Sequence, residues 1–391
     1  MAILFISGLH QSKGQSSSGG NAIYGIAESL CKYAQEDVEF VSHPNVPSFP
    51  NGPFWVGGNV EQFNEEHEIH ILSTLNLKII KSKLWGWECK RIIKDWALRH
   101  RGKKLKVLVY NTYHPSIDSL YAACQSTGAK LYAILYDLGV PPKRLGMSWL
   151  TMLGYRLAEK MAEKYIPLLD GRIIINELIA EHYAPGKDYI LVDGGVNRQV
   201  IGHLFPLKEK TDNKYTFVLA GMLWDQNGTK LVLDAMRQYS NPNVKVIFAG
   251  KGNDVPLIEE LASHDSRISY VGMLNMDDLF KLYEQADVLL NLRLEEDVDF
   301  HFPGKLLEYL AAGRYVISTP VAHAERDYGD YMAVLHDKTP EGLVQMMESV
   351  QKKGKHLLFE TGVRARRFMM EKRTWDKQTQ RILEYMHCDQ K

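Results

Sequence analysis

Short, continuous apolar runs alternate with longer amphipathic stretches along almost the whole chain, and this alternation constrains the fold more than any other feature. Ile3–Ile6, Lys106–Tyr110, Leu131–Tyr136, Arg172–Ile175, Thr216–Ala220, Lys245–Ala249 and Val288–Asn291 read as strands. Ala22–Tyr33, Ser148–Tyr165, Lys230–Gln238 and Lys305–Ala312 read as helices. Strands that are apolar throughout and joined through helices build parallel sheets covered on both faces. Ligands of such sheets bind beyond the carboxyl ends of the strands. The series runs twice: once over about residues 1–200, and again after the polar, lysine-rich stretch Pro206–Lys214, which reads as a linker. At about 150 residues per domain, a chain of 391 residues is expected to be α/β, with two Rossmann-like, doubly wound parallel-sheet domains facing each other across a cleft. The expected domains are 1–205 and 206–374. The Pro-, Gly- and Asn-rich region from His43 to Asn64 reads as an irregular loop, and Trp375–Met386 as a closing helix.

Composition narrows the class. Lys+Arg and Asp+Glu number 47 each, so the chain is no globally basic nucleic-acid binder, and no nucleic-acid partner is expected. Four scattered cysteines without a CxxC pair argue against a disulfide framework or structural zinc and fit a reducing cytoplasm. No apolar run reaches the roughly 18–20 residues of a membrane span. The first residues lack a basic n-region and read as a buried strand rather than a signal peptide. The expectation is a cytoplasmic protein, soluble or peripheral at the inner face of the cell membrane.

Four segments carry chemistry. Gly14-Gln-Ser-Ser-Ser-Gly-Gly-Asn21 precedes a helix, so backbone N–H groups near Gly19 and Gly20 are placed for a phosphate or an acceptor. It is neither a Walker A loop nor GxGxxG, and a plain β–α connection accounts for it equally. In Phe302-Pro-Gly-Lys-Leu-Leu-Glu-Tyr-Leu-Ala-Ala-Gly313, Pro303 suits the first helical turn and Gly304 permits close backbone approach. Lys305 and Glu308, three apart, share a face. A helix N-terminus with a lysine suits a phosphate, and the carboxylate suits a pair of hydroxyls; an ordinary surface ion pair is the alternative. Arg293, just past Val288–Leu290, offers bidentate phosphate contacts, and the acids around Asp297 and Asp299 read as a loop. Gly221 and Gly228 follow another strand and suit backbone approach to a ligand.

In this order the segments resemble the retaining glycosyltransferases of family 4, which have the GT-B fold, and among them the bacterial exopolysaccharide and capsule branch. Gly221-Met-Leu-x-x-x-Asn-Gly228 resembles that family's Gly-Arg-Leu-x-x-x-Lys-Gly. Phe302–Thr319 resembles its Phe-Pro-Ser-Lys-Leu-x-Glu-Tyr-Leu-Ala-x-Gly-x-Pro-Val-Ile stretch. Asp193-Gly-Gly-Val-Asn197 resembles the segment near the interdomain hinge, and Thr374-Trp375 the start of the last helix. The resemblance implies that residues 375–391 pack back on the first domain. It implies a nucleotide-diphosphate-sugar donor, no cofactor and no bound metal, and Glu308 on the nucleotide's ribose. Lys305, Arg293, Gly304, Pro303, Phe302, His301, Gly221, Gly250 and Met273 then line the donor site. A glycan or polyprenyl-linked acceptor would face His114 and Asp137, which follow apolar strands and suit orientation or deprotonation of a hydroxyl. The sequence departs from the family pattern at Met222 and Asn227, where the family has Arg and Lys, and at Phe300, where it has its first Glu. These departures keep a second reading open, a non-catalytic partner or regulator of the same fold; a nucleotide-sugar epimerase is a third.

Between Lys78 and Lys106 there are eleven Lys/Arg against Glu88 and Asp95, with Trp85, Trp87, Ile92, Ile93 and Trp96 interleaved. Basic residues with tryptophans suit an anionic membrane surface; a solvated helix face is the alternative.

Overall fold

The computed structural model describes residues 1–9, 18–44, 46–78, 80–113, 115–136, 138, 149–294 and 302–388, the side chains of Ser18 and Leu150 excepted. The chain divides into two compact units, Met1–Gly195 with Trp375–Lys391, and Val196–Thr374.

The first unit holds β1 (Ala2–Ser7), β2 (Asp37–Ser42), β3 (Trp55–Val56), β4 (Asn59–Gln62), β5 (Glu68–Ile71), β6 (Thr74–Leu75), β7 (Leu105–Tyr110), β8 (Lys130–Leu135), β9 (Gly171–Ile174) and β10 (Ile190–Leu191). Its main sheet runs β10-β9-β8-β7-β1-β2-β5-β4. Every pairing is parallel except β4 with β5. All six residues of β1 are buried, as a central strand covered on both faces requires. The strand order reverses between β1 and β7, the switch point of a doubly wound sheet.

The second unit holds β11 (Tyr215–Met222), β12 (Val244–Lys251), β13 (Ile268–Tyr270), β14 (Val288–Asn291), β15 (Tyr315–Ser318) and β16 (Met332–Val334). They form one parallel sheet in the order β13-β12-β11-β14-β15-β16. Counted within the sheet this is 3-2-1-4-5-6, the dinucleotide-fold order, with its switch point between β11 and β14. Phe217 and Leu219 on one face of β11 and Val218 on the other are all buried.

Several expectations are corrected. The region read as a loop from His43 to Asn64 contains β3 and β4. They are short edge strands, the form in which an exposed edge resists further pairing. Gly19 and Gly20 lie in the first turn of the helix Ser18–Tyr33 rather than in a loop ahead of it. The stretch read as a linker is pinned to the second unit: Lys210 Nζ bonds the Gln285 carbonyl at 2.6 Å, and Asp212 pairs with Lys355. The chain accordingly leaves the first unit at Gly195. Phe205, ten residues on, is held between the guanidinium groups of Arg314 and Arg366. In the basic stretch, Trp85, Ile93 and Trp96 are buried in the first unit's core rather than presented outward. Lys106 is buried too, its Nζ 5.6 Å from the centre of the Tyr132 ring.

The helix Trp375–His387 belongs to the first unit. Asp376 accepts from Ser29 Oγ at 2.8 Å, Tyr33 Oη at 3.0 Å and Lys32 Nζ at 3.1 Å. Trp375 lies flat on Gly25 and Gly195, where any Cβ would overlap its indole. Trp375→Ala leaves a cavity in this core and is expected to cost about 3–5 kcal/mol, read as a lowered urea midpoint for the first unit.

Candidate functional site

The sequence candidates of the second unit converge on the carboxyl ends of β11, β12 and β14, at the switch point. Two glycines make the close approach possible. Gly221 has φ 119° and Gly250 has φ 131°, a region that disfavours any side chain. A Cβ at Gly221 would overlap Lys305 Nζ, and one at Gly250 would overlap the Gly221 carbonyl. Gly250 N donates to the Gly272 carbonyl at 2.7 Å, which brings the loop after β13, with the exposed Met273, to the same edge.

The helix Gly304–Ala311 enters this edge behind Pro303, whose extended backbone (φ −77°, ψ 100°) serves as N-cap without a side-chain cap bond. Phe302 fixes the entry: its ring is buried and stacks on His323 with centroids 4.9 Å apart. Leu306 N donates to the Pro303 carbonyl at 2.9 Å, which leaves the N–H groups of Gly304 and Lys305 for an anion. Lys305 Nζ reaches across to the Ala220 carbonyl at 2.6 Å, and Tyr309 Oη shares that acceptor at 3.3 Å. Arg293 is anchored by its backbone N–H on Thr319 Oγ1 at 2.8 Å, and its positive charge bears on Lys305. Desolvation first, then Arg293, hold the Lys305 ammonium below its usual pKa, against the pull of Glu308.

Glu308 lies one turn deeper. Its Oε1 accepts from Tyr283 Oη at 3.0 Å. Burial pushes its carboxyl above the usual range; the Tyr283 bond and Lys305 oppose the shift. Tyr283 and Tyr309 meet edge to face with centroids 5.4 Å apart, and burial raises both phenols. Two ionisable groups desolvated on one helix face are costly unless a ligand uses them.

His301 and the acids at 295–299 lie outside the described residues, as do His114 and Asp137 of the first unit. What flanks the last two is described. Asn111 takes a left-handed turn (φ 62°) directly after β7. Its Oδ1 accepts from Tyr136 N at 3.0 Å, tying the ends of β7 and β8 together. Gly19 and Gly20 occupy a helix first turn after β1, a strand that borders that unit's switch point. In the first unit, ligand atoms of Glu159, Glu163 and His182 also lie within 4.8 Å of one another, with Glu159 Oε1 already accepting from Tyr183 Oη at 2.6 Å.

Sequence reasoning missed Tyr283, Tyr309 and the Ala220 carbonyl. Tyr283 sits in no motif and reaches Glu308 only through packing of the helix Met276–Gln285. A carbonyl has no sequence signal at all, although a glycine directly after a strand is a pointer to one.

Residues 214–352 match the family model described as Glycosyl transferases group 1. That stretch lies wholly within the second unit, Val196–Thr374. Gly221, Gly250, Met273, Arg293, Lys305 and Glu308 all fall inside it. A glycosyltransferase from Rickettsia africae ESF-5 matches with TM-score 0.68 at 14% identity, over 98% of this chain and 97% of that one. Sucrose-phosphate synthase from Thermosynechococcus elongatus matches with TM-score 0.64 at 13% identity, over 99% and 98%. Anabaena HepE in complex with UDP matches with TM-score 0.60 at 13% identity, over 99% of each chain. At such identities the likeness is one of fold, and the fold is GT-B, with two Rossmann-like domains. No curated protein matches the chain by sequence.

The raised Glu308 carboxyl lowers the stability of the second unit at neutral pH. A folded-state pKa above the ordinary 4.5 means that ionising Glu308 costs stability as pH rises from that value through the raised one. Glu308→Gln is expected to raise the urea midpoint at neutral pH. The gain shrinks as pH falls and vanishes by about pH 3, below the ordinary glutamate value.

Proposed function

We propose that the protein transfers a sugar, with retention of anomeric configuration, from a nucleotide-diphosphate sugar to a glycan or polyprenyl-linked acceptor. The setting is surface-polysaccharide synthesis at the cytoplasmic face of the cell membrane, and no bound metal takes part. One observation carries the reading: Lys305, an open helix N-terminus and Glu308 lie together over the glycine-lined ends of β11 and β12. Lys305 exchanges the Ala220 carbonyl for a diphosphate oxygen, whose negative charge favours the ammonium form and opposes the effect of burial. With Arg293 and the first-turn N–H groups it stabilises the negative charge that grows on the leaving diphosphate, a preorganised effect needing no reorganisation during reaction. Glu308, steadied at Oε1 by Tyr283, accepts from ribose hydroxyls. The UDP found in HepE supports a nucleotide diphosphate as the ligand of this fold. In the first unit, His114 or Asp137 orients or deprotonates the acceptor hydroxyl, and the leaving phosphate assists.

A second reading has an observation in its favour. The family's two cations on the diphosphate are absent: Asn227 spends its amide on the Met222 carbonyl at 2.8 Å. A non-catalytic partner that binds nucleotide without transfer fits that loss.

The test is a thermal-shift series with UDP, GDP, ADP, CMP and TDP, followed by transfer assays with sugars of the nucleotide that binds. At 100 times its dissociation constant, the cognate nucleotide is expected to stabilise the fold by about 2.7 kcal/mol. Glu308→Ala and Gly221→Ala are expected to lose that shift, the second because the new Cβ displaces Lys305. Transfer should persist in EDTA and give a product with the donor's anomeric configuration by NMR. Binding without transfer favours the non-catalytic reading. Donor turnover without an acceptor favours the epimerase. No binding of any nucleotide overturns the proposal.

A further inference from the structure

The first unit exposes apolar surface that its own fold leaves uncovered. Of the twenty large apolar side chains exposed among the described residues, fifteen lie in this unit and five in the second. The exposed tryptophans among them, Trp55, Trp87 and Trp149, are all in the first unit. Scattered exposed leucines need no explanation, but a concentrated aromatic patch does.

Ring contact, strand pairing and hydrogen bonds tie its parts together. Phe49 and Phe54 meet edge to face with ring centroids 5.6 Å apart. Trp55 is paired with Leu75 across the two-stranded β3–β6 ribbon, so their side chains share a face. Asn76 binds this region together: its N–H donates to the Phe54 carbonyl, its carbonyl accepts from Phe49 N, and its amide reaches Pro47 and Pro53. Ile80 opens the helix Lys81–Arg99, which Lys81 Nζ ties to the Val46 carbonyl at 3.1 Å. Lys78 Nζ bonds Thr151 Oγ1 at 2.6 Å and so ties the first turn of the helix Trp149–Tyr165 to the segment just before Ile80.

The helix adds charge. Trp85, Ile93 and Trp96 turn inward. Ile80, Trp87, Arg91, Lys94 and Leu98, at spacings of seven, four, three and four, hold one face, and all are exposed. Over Lys81–Arg99 there are six Lys/Arg against Glu88 and Asp95, in a chain whose net charge is zero. A face for a second copy of the chain would carry its own counter-charges or be flat and apolar. This one offers separated aromatic tips with a cationic stripe alongside.

We propose that Phe49, Phe54, Trp55, Leu75, Ile80 and Trp149 insert into the headgroup region of an anionic bilayer, with Trp87, Arg91 and Lys94 seated on its surface. Aromatic rings at headgroup depth, flanked by cations that meet acidic lipids, are the chemistry of interfacial binding. No helix among the described residues is long and apolar enough to cross a membrane. The inference stands on surface composition alone and does not depend on the glycosyl-transfer reading.

Sedimentation of the full chain with vesicles tests it. The protein is expected to pellet with phosphatidylcholine–phosphatidylglycerol vesicles and to stay in solution with phosphatidylcholine alone, and its binding should weaken as salt is added. Arg91→Glu with Lys94→Glu should lower the partition coefficient about tenfold or more. Trp55→Ser with Trp149→Ser should lower it similarly. Both variants should keep the wild-type circular dichroism and any nucleotide-induced thermal shift, which separates this result from the fate of the donor-site proposal. Absence of the protein from both vesicle pellets overturns the inference. So does a wild-type dimer in light scattering without vesicles that the same variants dissociate, since a second copy then covers the face.

Discussion

The candidate donor site depends on the carbonyl oxygen of Ala220. It projects from the end of a central strand and accepts from both Lys305 and Tyr309. That arrangement exists only because the next residue is glycine in a backbone conformation other residues avoid. Lys305 crosses the space a side chain would have filled. The helix carrying it is thereby held against the sheet at one spot, and Glu308, one turn on, is placed by the same contact. This carbonyl, together with the buried Phe302 and the buried leucines of the helix, thus sets the position of a cation, a carboxylate and a helix N-terminus.

Much of the fold was legible because apolar runs and helical patterns follow fixed physical periods. The strands around Ile3–Ile6, Thr216–Ala220 and Val288–Asn291 and the helices ending at Tyr33 and Gln238 match their patterns closely. Less legible were features set by tertiary context. The segment 206–214 has linker composition, yet Lys210 and Asp212 find partners on the second unit. Trp85 and Trp96 read as surface anchors, but helical phase against Ile117–Thr127 turns them inward. In the site, Lys305, Glu308 and the glycines could be found by spacing and by resemblance. Tyr283 could not, since only packing brings Met276–Gln285 to Glu308. His114, Asp137 and His301 were named from the sequence and lie outside the described residues.

The energetics of the donor edge differ from those of the rest of the unit. Two other buried cations of the unit are better supplied: Arg314 bonds the Tyr283 and Glu284 carbonyls, and Arg366 bonds those of Phe205, Ala311 and Ala312. Lys305 and Glu308 are desolvated with one or two neutral partners each, a poorer bargain for stability. Proteins retain such groups where binding uses them.

The division of the chain has a consequence for how the protein is made. The second unit begins at Val196 and ends at Thr374, and its two ends are side by side, with Val196 N bonded to the Arg373 carbonyl at 2.7 Å. It is in effect an insertion between β10 and the closing helix. On the ribosome, the second unit is complete before the first, because Trp375, Ile382 and Met386 of the first unit's core are the last core residues to emerge. Until they do, the glycine groove at Gly25 and the edges of that core stay open to solvent. The half of the chain synthesised first is therefore the half that finishes folding last, and during that interval a chaperone has its best purchase.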